Sequence, residues 1–190
     1  ADEIAVGFGR TGSFFACEQA GIWPDMLCLS KGITAGYLPL CLVMTTDRIY
    51  SAFYDTDIAR GFLHSHSYTG NPLACRAALA SLELFRLHDV INQNRIISGK
   101  INLALESLKQ HSCVRHFRNR GMIWAFDAVM TPEKQATFPR RFFETALKHE
   151  LLMRPIGNTV YLMPPYILND TDIEQLTEKT ITVFNEVIQA

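Results

Sequence analysis

Met26-Leu27-Cys28-Leu29-Ser30-Lys31-Gly32-Ile33-Thr34-Ala35-Gly36-Tyr37 is the stretch on which the reading of this chain turns. The apolar run 26–29 is too short for a helix and is followed by small residues. It predicts a buried strand that ends at a cleft, with Lys31 at the exit. An ammonium is costly to bury alone, so a lysine there should be paired, deprotonated or covalently bonded. A Schiff-base lysine fits, and pyridoxal 5'-phosphate requires such a lysine together with an acid at its ring nitrogen. Asp2, upstream, is the candidate acid. On spacing alone two plainer readings stay open: Lys31 as a solvated loop lysine, and Asp2-Glu3 as a capping or solvated pair.

Working outward, Leu40–Thr45 predicts a second buried strand. Asn71 can cap a helix that takes Pro72 in its first turn and continues through Ala74, Ala77, Ala78 and Leu82 towards His88. A second helix is expected over 90–111. Val114–Arg118 and Met122–Val129 then read as antiparallel strands around Gly121, and Phe138–His149 as a helix. Leu151–Arg154 and Thr159–Met163 predict a hairpin across Ile156-Gly157-Asn158. The last helix follows Asn169-Asp170, with a capping box from Thr171 to Glu174 and an apolar face of Ile173, Leu176, Ile181, Phe184 and Val187. The order predicts an α/β chain in two parts. Residues 1–88 form the C-terminal portion of a large α/β domain and the start of a linking helix, and residues 89–190 a small α+β domain.

The 190 residues carry a net charge of -1 with interspersed signs, which gives no electrostatic case for nucleic acid or an anionic membrane. Five cysteines without a CxxC pair read as buried small hydrophobes in a reducing compartment. No apolar stretch reaches transmembrane length and no signal peptide is visible, so the expected location is cytoplasmic. Gly7, Gly9 and Gly12 spell GxGxxG, but no βαβ unit follows. They are read as turn residues rather than a dinucleotide fingerprint. The histidines show no metal-ligand spacing, so no metal is expected.

Several blocks together carry a resemblance. Ala1-Asp2-Glu3-Ile4-Ala5-Val6-Gly7-Phe8-Gly9-Arg10-Thr11-Gly12, Asp25 to Gly32 and His66-Ser67-Tyr68-Thr69-Gly70-Asn71-Pro72 resemble, in order and spacing, the class III (subgroup II) aminotransferases. Met153-Arg154-Pro155-Ile156-Gly157 and Val160 to Tyr166 are similar to the biotin-synthesis branch of that family. The resemblance runs from the first residue to the last. It implies fold type I, pyridoxal 5'-phosphate, a homodimer, and amino transfer from S-adenosylmethionine to 8-amino-7-oxononanoate. The family's members are about twice this length, so the chain is expected to be the C-terminal half of an enzyme. The phosphate loop and the aromatic that stacks on the cofactor ring would lie upstream. Two alternatives stay open: an omega-aminotransferase of the ornithine or 4-aminobutyrate type, and a non-catalytic interaction or dimerisation module.

The resemblance also implies roles. Lys31 would bind the cofactor covalently and move the substrate's proton, and Asp2 would keep the ring nitrogen protonated, with Glu3 behind it. Ser67 stands where many members have threonine and would donate to the cofactor phosphate across the dimer interface. Ser65 and His66 would touch substrate and cofactor. Arg154 would fork a substrate carboxylate, although alone it reads as a surface ion pair. Arg10 and Tyr161 would line the substrate site. Ala5-Val6 replaces the glutamine that many members carry after the acidic pair.

Overall fold

The computed structural model describes residues 1–189, and the chain divides into two compact units, Ala1–Ile91 and the segment from Asn92 onward. In the first unit, short helix α1 (Ala16–Ala20) precedes β1 (Met26–Leu29), which pairs antiparallel with β2 (Leu42–Thr45) in the register Leu27↔Met44. Residues 1–3 lie along the other edge of β1. Asp2 bridges Cys28 in parallel, Glu3 N–H donates to the Cys28 carbonyl at 2.9 Å, and Cys28 N–H donates to the Ala1 carbonyl at 2.9 Å. Leu27 and Leu29 point inward onto Phe8, Cys17, Ile33 and Ala78. Phe14 closes this core with edge-on contacts to Phe8 at 5.5 Å and Phe85 at 5.3 Å between ring centres.

After α2 (Asp47–Tyr50) the unit ends mainly in α3 (Pro72–Leu87). Asn71 Oδ1 accepts the N–H groups of Leu73 at 2.9 Å and Ala74 at 3.4 Å, and Pro72, which has no N–H, occupies the first turn. The inward stripe is Ala74, Ala78 and Ser81, whereas Leu82 faces out. Two expectations need correction here. β2 starts at Leu42, and all four of its residues are exposed. Only Cys17 is buried among the five free cysteines: Cys41 precedes the exposed strand, and Cys75 lies on the outer face of α3, next to buried Ala74.

The second unit contains all but the first two residues of α4 (Val90–Ala104), then α5 (Glu106–Lys109), β3 (Val114–Arg120), β4 (Ile123–Ala128), α6 (Pro132–Gln135), α7 (Phe138–Lys148), β5 (Thr159–Leu162) and α8 (Asp170–Gln189). Its sheet is antiparallel in the order β3-β4-β5. β4 alternates, so Trp124, Phe126 and Ala128 enter a core completed by Phe142, Val160 and Phe184. The single helix expected over 90–111 is two, because Leu105, with ψ near 8°, turns the chain while staying buried.

Leu151–Arg154 is not a strand. Pro155 has no N–H to give a ladder, and the expected hairpin shrinks to one bridge between Ile156 and Thr159. The alternation survives nonetheless: Leu151, Met153 and Pro155 are buried while Leu152 and Arg154 face out. The cap of α8 lies two residues earlier than expected. Asn169 Oδ1 accepts the Asp172 N–H at 2.9 Å, and Asp172 Oδ2 accepts the Asn169 N–H at 3.0 Å.

Candidate active site

β1 delivers Lys31. Ser30 ends the strand with its hydroxyl on the Leu40 carbonyl at 2.7 Å, and Lys31 opens a single 3-10 turn, Lys31–Thr34. Its φ of 43° is left-handed, a conformation that costs a lysine about 1 kcal/mol or more. The turn is held all the same. Ile33 is buried, Thr34 Oγ1 donates to the Leu38 carbonyl at 2.6 Å, and Ser81 Oγ of α3 donates to the Gly32 carbonyl at 3.3 Å. The Lys31 side chain is exposed, and no described residue hydrogen-bonds or ion-pairs with it.

Asp2 lies on the parallel strip beside β1, level with Cys28 and so three residues short of Lys31. It is exposed, and its Oδ1 accepts the Ile4 N–H at 2.9 Å, which leaves Oδ2 open among the described residues. An unpartnered amine just past β1 and a carboxylate with an open oxygen on the strip along its edge are the two kinds of group that an aldehyde-bearing pyridine requires. The donor set fits pyridoxal phosphate.

Glu3 points the other way. Only 2% exposed, it accepts the Cys17 N–H at 2.7 Å and the Ala16 N–H at 2.9 Å, one on each carboxylate oxygen. The Cys17 thiol is pushed up, chiefly by its hydrogen bond to Glu3, then by burial and the Glu3 charge. The residues after Glu3 turn back on it: Gly7 donates to its carbonyl at 2.9 Å, and a Cβ at Gly7 would meet that oxygen at 2.8 Å. Gly7, Gly9 and Gly12 thus belong to a run of turns. Half-buried Arg10 lies in the same run.

Ser65, His66 and Ser67 stand in an exposed loop. Its hydrogen bonds are local: His66 N–H donates to Thr69 Oγ1 and Tyr68 N–H to His66 Nδ1, both at 3.1 Å. In the second unit, Arg154 and Tyr161 share an open cleft of about 440 Å³ with Leu152, Met163, Pro165 and Leu176. Arg154 is exposed, and no described residue pairs with its guanidinium. Among the described residues, no group of three or more His, Cys, Asp or Glu is placed to hold a metal ion, and no helix is long and apolar enough to cross a membrane.

Two supports of the lysine turn escaped the sequence reading, Ser81 and the Phe8 ring beneath Gly32. The signal for Ser81 was present: small residues at 74, 78 and 81 form one helical stripe, which admits a close backbone neighbour. Phe8, with φ of 55°, left no such signal.

The fold is that of the fold type I pyridoxal-phosphate-dependent transferases. The chain belongs to the family Aminotransferase class-III, which matches residues 1–184. It is 44% identical over 98% of its length to the adenosylmethionine-8-amino-7-oxononanoate aminotransferase of Helicobacter pylori, and 41% identical over 98% to that of Synechococcus elongatus. It covers 43% and 44% of those proteins, so it spans less than half the length of the curated relatives it matches. A crystal structure of the Methanocaldococcus jannaschii adenosylmethionine-8-amino-7-oxononanoate aminotransferase superposes with a TM-score of 0.88 at 36% identity, over 97% of this chain and 44% of that one. A thermostable (S)-enantioselective omega-transaminase from Thermomicrobium roseum gives 0.89 at 26% identity, over 98% and 43%.

Proposed function

We propose that this chain is the C-terminal part of an aminotransferase that moves an amino group from S-adenosylmethionine to 8-amino-7-oxononanoate, giving 7,8-diaminononanoate for biotin synthesis. The observation that carries the reading is the 44% identity across 98% of the chain to a relative of that name. An unpartnered Lys31 amine after β1 and an Asp2 carboxylate with an open oxygen on the strip along β1 are compatible with it.

Pyridoxal phosphate, when bound, supplies the electron sink for loss of the donor's alpha proton. Lys31 would hold it through Nζ, and Asp2 would face its ring nitrogen and keep a proton there. The Lys31 amine would then carry the proton from the donor's alpha carbon. Ser67 and His66 would bind the phosphate end, with Ser67 serving the partner site of a homodimer. Arg154 would receive a substrate carboxylate in a planar fork, with Ser65, Arg10 and Tyr161 placing the rest of the substrate. Residues 1–88 would belong to the large domain and 89–190 to the small one. A cytoplasmic location accords with the free cysteines among the described residues.

The test is an absorbance spectrum of the natural polypeptide carrying these residues, purified with pyridoxal phosphate. A visible cofactor band that Lys31→Ala abolishes and S-adenosylmethionine bleaches supports the reading. The T. roseum superposition favours an omega-aminotransferase as second reading. A band bleached by ornithine or 4-aminobutyrate but indifferent to S-adenosylmethionine would select it. The absence of any band would leave the chain a binding or dimerisation module.

A further inference from the structure

Alternate residues of an extended strip point to opposite faces, so Asp2 and Glu3 cannot share a task. Asp2 faces out and Glu3 faces in. Glu3 is tied on four sides: its N–H to the Cys28 carbonyl, its carbonyl to the Gly7 N–H, and its two carboxylate oxygens to the N–H groups of Ala16 and Cys17. The Asp2 carboxylate, by contrast, bonds among the described residues only to the N–H two residues on. Its place is therefore set by the main chain of residues 1–3, and the β1 ladder secures that strip along one edge only. The second attachment is Glu3, which joins the strip to the first turn of α1.

We propose that Glu3 is the positioning residue for Asp2: its buried carboxylate rivets the strip between β1 and α1 and so fixes the Asp2 carboxylate that would face the cofactor's ring nitrogen. This rests on the reading of Asp2 given above. The chemistry of the rivet explains why glutamate stands there. Both partners are N–H donors, so both side-chain atoms must accept. Glutamine would turn an NH2 towards one of them, and aspartate is a methylene too short to reach both. The two bonds are charge-assisted, at 2.7 and 2.9 Å, and aspartate or glutamine would keep at most one.

The experiment is a pH titration of the bound cofactor's absorbance band in the natural polypeptide, comparing the parent, Asp2→Asn, Glu3→Gln, Glu3→Asp and the double variant Asp2→Asn/Glu3→Gln. Glu3→Gln is expected to move the midpoint in the same direction as Asp2→Asn and to add nothing in the Asp2→Asn background. Glu3→Asp should move it the same way, which serves if Glu3→Gln does not fold. Alkylation of Cys17, followed by mass spectrometry without cofactor, should be faster in both Glu3 variants, because the carboxylate that pushes the thiol up is gone or withdrawn and the buried first turn of α1 is loosened. A melting temperature that falls while the midpoint stays at the parent value, or additive shifts in the double variant, would overturn the positioning role. An Asp2→Asn protein with an unchanged midpoint would instead refute the reading of Asp2, and the proposal with it.

Discussion

A methyl group on Gly32 would stand 2.9 Å from the Cβ of Phe8. Phe8 is 3% exposed and itself holds a positive φ, so neither partner can retreat cheaply. Gly32→Ala should therefore cost about 1–3 kcal/mol, as overpacked sites do. The same substitution should loosen cofactor retention, because Lys31 precedes it directly. Denaturant melts and the ratio of bound cofactor to protein check both, and parental values in each would contradict the contact.

Arg154→Lys keeps the charge and loses the planar fork. Hydrogen bonds to charged groups contribute about 1.5–3 kcal/mol, so a raised KM for a carboxylate-bearing substrate by roughly 10- to 100-fold is expected, with kcat changed less. Steady-state kinetics with each substrate varied in turn decide this. An equal drop in kcat and kcat/KM would place Arg154 in the chemistry rather than in binding.

Asp127 joins all three strands of the second unit's sheet. Thr159 of β5 donates to its Oδ1 at 2.8 Å, His116 Nδ1 of β3 meets Oδ2 at 2.9 Å, and the Arg118 guanidinium lies 3.4 Å away. Burial raises its carboxyl, but these hydrogen bonds and the Arg118 charge together outweigh burial and hold it below the usual carboxylate range. The stabilisation is thus complete above the unfolded value of about 3.9, and it is lost as pH falls from there through the folded value. Stability measured against pH should drop in that acid window, and Asp127→Asn should flatten the drop. An unchanged acid limb would count against the staple.

Asn71→Ala removes the acceptor for two N–H groups at the start of α3. A loss of about 0.5–2 kcal/mol follows, measurable by chemical denaturation.

The sequence made the strand before Lys31, the capped start at Asn71 and the last helix legible, because each has a local cause: a short apolar run, an Asn-Pro pair, an apolar stripe. Leu151–Arg154 misled because alternating burial is shared by strands and by extended chain without a ladder, and only the missing Pro155 N–H separates them. The helical spacing of Ala74, Ala77, Ala78 and Leu82 left the inward face of α3 open. Periodicity marks a helix, but the face chosen depends on what packs against it, and the Lys31 turn requires Ser81 rather than Leu82. Of the candidate site, residue types were legible and supports were not: the bonds from Glu3 to α1 link positions thirteen and fourteen apart in sequence.

The left-handed backbone of Lys31 sets stability and chemistry against each other at one position. Glycine adopts that conformation without strain, so Lys31→Gly should raise the unfolding free energy by roughly 1 kcal/mol while removing an amine that can react with an aldehyde. Denaturant melts of parent and variant test the gain. A selection that rewarded thermal robustness alone would discard this lysine early, so its retention would have to be a choice made by function against the preference of the fold.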